Sequence, residues 1–177
     1  MKRSHAAPLF ALISAAALAG CASDADQPVL SCPQVAVLQQ AQSLTTFLPN
    51  RSDVAAQVTT AQITGVAGAC TLRPEKHLLD VKFQAGFAAT NGPANNGAPL
   101  NLPYFVAIAQ GNKILSKHDY TIALKFNGNA STAQATSKPV TVELSNHPAS
   151  SHIQILVGFE LTPDQLAYVA SHPLNMP

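Results

Sequence analysis

Over much of the chain, apolar and polar residues alternate one for one. In "LLDVKFQAGF", Leu79, Val81, Phe83, Ala85 and Phe87 fall on one side, and Asp80, Lys82 and Gln84 on the other. A period of two is that of a strand with one face buried and one face wet. Tyr120, Ile122, Leu124 and Phe126 repeat the pattern, as do Val140, Val142 and Leu144, and then Ile153, Ile155, Val157 and Phe159. Weaker runs occupy Val35 to Phe47, with a bend or split expected near Ala41, and Val54 to Thr64. Tyr104 to Ala109, "YFVAIA", has no polar residue on either face. Such a run predicts a central strand whose outer face is also covered, and the loop before it, with Leu100 and Leu102, is the expected cover.

Turn signals separate these runs: "PNRSD", "TGVAG", the fourteen-residue "TNGPANNGAPLNLP", the hairpin-like "QGNK" and the bland "NGNASTAQATSKP". About seven strands at this spacing predict an antiparallel, immunoglobulin-like β-sandwich, with a closed barrel as the alternative. At the far end the period changes. "LTPDQLAYVASHP" offers Thr162 as N-cap, Pro163 at the first helical position, Gln165 to complete a capping box and Pro173 as a stop. One short helix is expected over about 163–171, with Leu166, Val169 and Ala170 on its packed face.

The beginning of the chain reads differently. After Lys2 and Arg3, the thirteen residues Pro8 to Gly20 are apolar or small apart from Ser14. That is the length of a signal-peptide core and short of the roughly 20 residues a membrane-spanning helix needs. At its end, Leu18-Ala19-Gly20-Cys21 resembles the lipobox of bacterial lipoproteins, matching it at all four places. The resemblance implies that residues 1–20 are removed and that Cys21 becomes the first residue. Its thiol would carry a diacylglycerol and its amino group a further acyl chain, enough for stable membrane attachment. With Ala22 and Ser23 after the cysteine, and no aspartate at the first of these places, the favoured address is the periplasmic face of the outer membrane; the inner membrane is the alternative. Residues 21–31 then form a tether and 32–177 one domain. The "CP" start, "PYFVAIAQGNKILSKHDY" and "VGFELTPDQLAYV" together resemble a group of bacterial envelope lipoproteins of unknown function, a likeness that brings no activity with it.

With Cys21 given to lipid, Cys32 and Cys70 remain, and an even pair in an exported domain predicts a disulfide. A metal site is the rival use of these thiols, but there is no close cysteine pair and no neighbouring histidine. Without residues 1–20 the chain has eight Lys and Arg against nine Asp and Glu. That balance argues against nucleic acid as a partner, which demands clustered basic surface.

Motifs for catalysis are sparse. "SNHPASSH" gathers His147, Ser150, Ser151 and His152 but has no Gly-x-Ser-x-Gly elbow and no nearby carboxylate, and reads as a polar turn. The spacing of His147 and His152 fits no standard metal pattern, and His118 has only Asp119 beside it. A carboxylate pair for glycan hydrolysis would have to be a distant one such as Asp80 and Glu160, and the period of two puts both on solvent faces of strands, where a charge serves solubility. The expectation is a non-catalytic accessory, assembly or protein-interaction module in the envelope, without cofactor or metal. The alternatives are a small-ligand or glycan-binding module, with a concave polar patch expected under the Asn-rich loop, and, behind it, a hydrolase.

Overall fold

Alternation becomes burial wherever it is strict. In strand β4 (Leu78–Asn91), Leu79, Val81, Phe83, Ala85, Phe87 and Ala89 are each at most 3% exposed, while Lys82 and Gln84 face water. The computed structural model describes residues 32–145 and 152–172. In them, nine strands form two layers: β1 (Gln34–Val37), β2 (Ser43–Phe47), β3 (Gln57–Arg73), β4, β5 (Leu100–Gln110), β6 (Lys113–Leu124), β7 (Thr132–Thr136), β8 (Val140–Ser145) and β9 (Ile153–Phe159). One sheet has the order β1-β9-β5-β6. The other runs β2-β3-β4, and the far edge of β4 is shared by β8, along Leu78 to Phe83, and β7, along Gly86 to Thr90. All pairs are antiparallel except β1 with β9. The result is the expected β-sandwich, not a barrel, with its core between the sheets: the Phe87 ring lies 4.9 Å from Tyr104 and 5.8 Å from Phe159.

The strand count exceeds seven for identifiable reasons. The Val35 to Phe47 run splits at a 3-10 turn, Gln39–Ala41, which moves the chain from one sheet to the other. "TGVAG" is no turn. Thr64 is the extra residue of a bulge between Ile63 and Gly65, and β3 continues through it to Arg73. The bland segment contains β7. Between β7 and β8, Pro139 has no amide to give the ladder. Ser137, 3% exposed, bridges the break: its amide donates to Ala85 O (2.8 Å), its hydroxyl accepts from Ala85 N (3.0 Å) and donates to Lys138 O (2.9 Å).

Strand β5 is central, bonded to β6 and β9, but the expected loop does not cover it. Leu100 and Leu102 belong to β5 itself and point into the core, 7% and 4% exposed. On the outer face, Phe105 lies over Gly158, where a Cβ would come 2.8 Å from both the ring and Ala41. The Lys117 ammonium stands 5.1 Å from that ring. Ala107 and Ala109 sink below the longer side chains paired with them, Leu156, Lys117, Gln154 and Ile114. The "QGNK" hairpin forms as read, with Gly111 at φ +57° in the turn.

Helix α1 (Pro163–Ser171) has the predicted capping box: the Thr162 hydroxyl accepts from Gln165 N (3.3 Å), and Gln165 Oε1 accepts from Thr162 N (2.9 Å). It packs beside β2, with Tyr168 edge-on to Phe47, while Leu166 is 47% exposed. Among the described residues no helix is long and apolar enough to cross a membrane.

Candidate docking edge and ligand cleft

Beyond its bulge, β3 carries Gly-Val-Ala-Gly-Ala-Cys-Thr-Leu, residues 65–72. Strand β2 pairs only with Gln57 to Gln62, so from Gly65 onward β3 has β4 on one side and no strand on the other among the described residues. Natural sheets protect such edges with charge, proline or cover. This edge has no charge and no proline, and Ala67, Gly68 and Ala69 are exposed. Register places Val66, Gly68, Cys70 and Leu72 opposite core residues Ala85, Phe83, Val81 and Leu79, hence facing inward. The facing strand β1 is only four residues long and leaves the seam between the sheets open. A groove of about 240 Å³ runs there, lined by Cys32, Val35, Val66, Gly68, Cys70 and Val81.

The expected cysteine pair spans this seam. Cys32 and Cys70 stand at disulfide distance, Cα atoms 6.0 Å apart and 38 positions apart in sequence, within the usual range for a bridge. They tie the segment just before β1, two residues from its start, to the middle of the open edge. The edge ends at Arg73, whose guanidinium reaches Asp80 (2.5 Å) and Glu143 (2.6 Å) across β4 and β8.

A second concavity lies at the opposite end of β3's partner strand. The end of β2, the loop after it and the first turns of α1 enclose a cleft of about 470 Å³. Phe47 and Tyr168 meet with ring centroids 5.1 Å apart at 71°, and His172 stacks on Tyr168 at 4.2 Å. Asn50 sits in the left-handed region at φ +59°, a conformation asparagine tolerates well. It turns the chain so that Arg51 stands at the rim, held by Asp53 through two bonds of 2.9 and 2.7 Å. This pairing lowers the Asp53 carboxyl below its ordinary range, chiefly through the hydrogen bond from Arg51. Thr45, on the cleft wall, begins a row of threonines in register across the sheet: Thr45, Thr60, Thr90 and Thr132. The Thr45 and Thr60 hydroxyls are 3.3 Å apart, and Thr90 Oγ1 donates to Thr60 O at 3.2 Å.

The other residues singled out in the sequence do not converge. Cys21, His147, Ser150 and Ser151 lie outside the described residues, and His152 is exposed before β9. His118 and Asp119 are neighbours on a strand, opposite Val106 and Phe105 respectively, so their side chains leave opposite faces. Asp80 is bonded to Arg73 on the five-stranded sheet, and Glu160 to Lys117 at 2.5 Å on the other. Glu160 is also the main cause that raises the Lys117 ammonium above its ordinary range. Among the described residues no group of three His, Cys, Asp or Glu is placed to hold a metal. The concave polar patch lies at β2 and α1, away from the Asn-rich loop, whose Asn95 is bonded to Asn91 (2.7 Å) and Ala98 O (2.9 Å). Sequence reading missed both concavities. An uncharged, proline-free run is the signal that could have exposed the edge, whereas Phe47 and Tyr168 are too far apart in sequence to announce a cleft. Compared with protein-family models, curated proteins and solved structures, the chain matches none.

Proposed function

We propose that this protein is a membrane-anchored, non-catalytic interaction module of the bacterial envelope, and that the open edge of β3 receives an extended segment of an envelope protein as an added strand. Anchoring would come from acyl chains on Cys21, at the periplasmic face of the outer membrane; the lipobox resemblance and the small residues after it support this. The observation that carries the docking role is the uncharged, exposed stretch Gly65 to Leu72 above an apolar groove. Strand addition uses main-chain hydrogen bonds for affinity and alternate side chains for specificity. Here the incoming strand would bond to β3 and set every second side chain into the groove beside Val66, Gly68 and Val81.

The test compares the full-length protein in native membranes with the same protein purified in detergent. Amides between Gly65 and Leu72 should exchange more slowly in the membrane sample. Ala67→Lys, at an exposed position facing Gln84 across the ladder, should abolish that difference while leaving stability within about 0.5 kcal/mol. Equal exchange in the two samples, or protection that ignores Ala67→Lys, refutes docking at this edge. Cys21→Ser should release the protein or stall its precursor; if the cleaved variant still fractionates with membranes, the anchoring proposal fails.

A further inference from the structure

We propose that the cleft between β2 and α1 is a saccharide-binding site, and that the threonine row leading out of it supports the rest of the sugar chain. This goes beyond strand addition at β3 and does not depend on it.

The cleft's chemistry narrows the ligand. Its volume of about 470 Å³ is of the size that holds small molecules. Two rings, Phe47 and Tyr168, supply an apolar wall, and Thr46, Asn50, Arg51 and Asp164 bring hydroxyl, amide, guanidinium and carboxylate groups around it. An anion is disfavoured. Asp53 cancels the charge of Arg51, and Asp164, in the first turn of α1, offsets the positive end of the helix, which leaves no net positive charge in the cleft. An extended peptide is disfavoured as well: the edge of β2 that would offer main-chain groups is packed against α1. A purely apolar ligand would leave the polar groups of both walls desolvated and unpaired, at a cost. What remains is a neutral molecule with an apolar face and a rim of hydroxyls, which is the chemistry of a pyranose ring.

The surface next to the cleft points to more than one sugar. Thr45 belongs to the cleft and to the row that continues through Thr60, Thr90 and Thr132. Neighbouring strands are about 4.8 Å apart, so hydroxyls recur at an even step across the sheet. The adjacent row, Ser43, Gln62, Ala88 and Gln134, is likewise uncharged. Neither row carries a charge; Arg73, Asp80, Lys82 and Glu143 stand further along the strands. Ser43 and Thr45 are themselves buried, so a glycan leaving the cleft across the strands meets the uncharged hydroxyl and amide groups of Thr60, Gln62, Thr90, Thr132 and Gln134.

The experiment titrates the full-length, detergent-extracted protein with N-acetylglucosamine, chitotriose, maltotriose and inorganic phosphate, followed by NMR of the Phe47 and Tyr168 rings. Tyrosine emission serves as a second readout, since the chain has three tyrosines and no tryptophan. Saturable shifts of both rings with at least one trisaccharide are expected, with Kd on the order of 1 mM. Arg51→Ala, at an exposed side chain, and Asn50→Gly, which keeps the left-handed backbone, should each weaken binding about tenfold, a loss of about 1.4 kcal/mol. Thr132→Lys should weaken the trisaccharide several-fold and leave the monosaccharide unchanged. The site is refuted if no sugar moves these rings at about 10 mM, well above a millimolar Kd. Shifts that survive both cleft variants, or a stronger response to phosphate, refute it too. Equal effects of Thr132→Lys on short and long sugars would remove the threonine row from the proposal.

Discussion

Breaking the Cys32–Cys70 pair, by Cys32→Ser with Cys70→Ser or by reduction, should lower stability by about 4 kcal/mol. The figure follows from the loop the pair closes. With the partners 38 positions apart, the chain-entropy account gives roughly 4 kcal/mol lost from the constrained unfolded state, inside the measured range of about 2–5 kcal/mol for native bridges. Position reinforces the estimate. Strand β1 is four residues long and bonded on one side only, to β9, so Cys70 is its main tie to the other sheet. For a domain of this size, each kcal/mol moves Tm by about 2–4 °C, which predicts a drop of about 8–16 °C.

The assay is calorimetry of oxidised, reduced and double-serine protein, with unreduced peptide mass spectrometry to establish linkage. Amide exchange should show Gln34 to Val37 opening first in the unlinked forms, because the groove beneath them loses its tie. Free thiols at both positions in protein isolated from native cells without reductant would refute the pairing. A confirmed link whose removal lowers Tm by less than about 3 °C would instead refute the reasoning from loop entropy, since about 1 kcal/mol is then all the loop contributes.

Phe87→Ala should cost about 3–5 kcal/mol, because Phe87 is 2% exposed and touches the Tyr104 and Phe159 rings; chemical denaturation checks it, and a loss below about 1.5 kcal/mol would mean that the sheets close over the gap. Burial raises the Tyr104 phenol above its ordinary value near 10, so the folded state holds that proton longer than the unfolded state does. Stability should therefore be fully present below pH 10 and fall as pH rises beyond it. Thermal melts from pH 8 to 11 should show a weaker alkaline decline for Tyr104→Phe, and identical declines would disprove the assignment.

How far the sequence could be read depended on whether one strand alone decided the outcome. Strands β4, β8 and β9 were legible because each buries one face, and a half-buried strand must alternate. The capping box was legible because its four residues lie together. The second half of β3 was not, since its glycines read as turn residues although the bulge needs Gly65 at φ +156° and packing needs Gly68 in a strand. A Cβ on Gly68 would come 2.5 Å from Phe83 Cβ, and in the partner strand β4 one on Gly86 would come 2.6 Å from Thr64 Oγ1. Strand β7 was hidden because Ala133 is its only buried residue. The start of β5 was hidden by Pro103. That residue is tolerated because β9 ends opposite Tyr104, so Pro103 need only accept, from Glu160 N at 3.0 Å.

Among the described residues, the β3 edge is the exception in this fold. Every other long edge among the described residues has a device that discourages pairing. Strand β6 carries Lys113, Lys117 and Asp119 along its edge. Strand β2 is flanked by α1, and the edge shared by β7 and β8 is interrupted at Ser137 and Pro139. Only Gly65 to Leu72, among the described residues, combines length, small side chains, absence of charge and an exposed centre at Ala67 to Ala69, and it does so above the groove beside the short β1. A lysine at Ala67 would close that edge at little expense to stability, yet none is there. Among the described residues the other long edges are guarded and this one is left accessible, as the proposed strand addition at β3 would require.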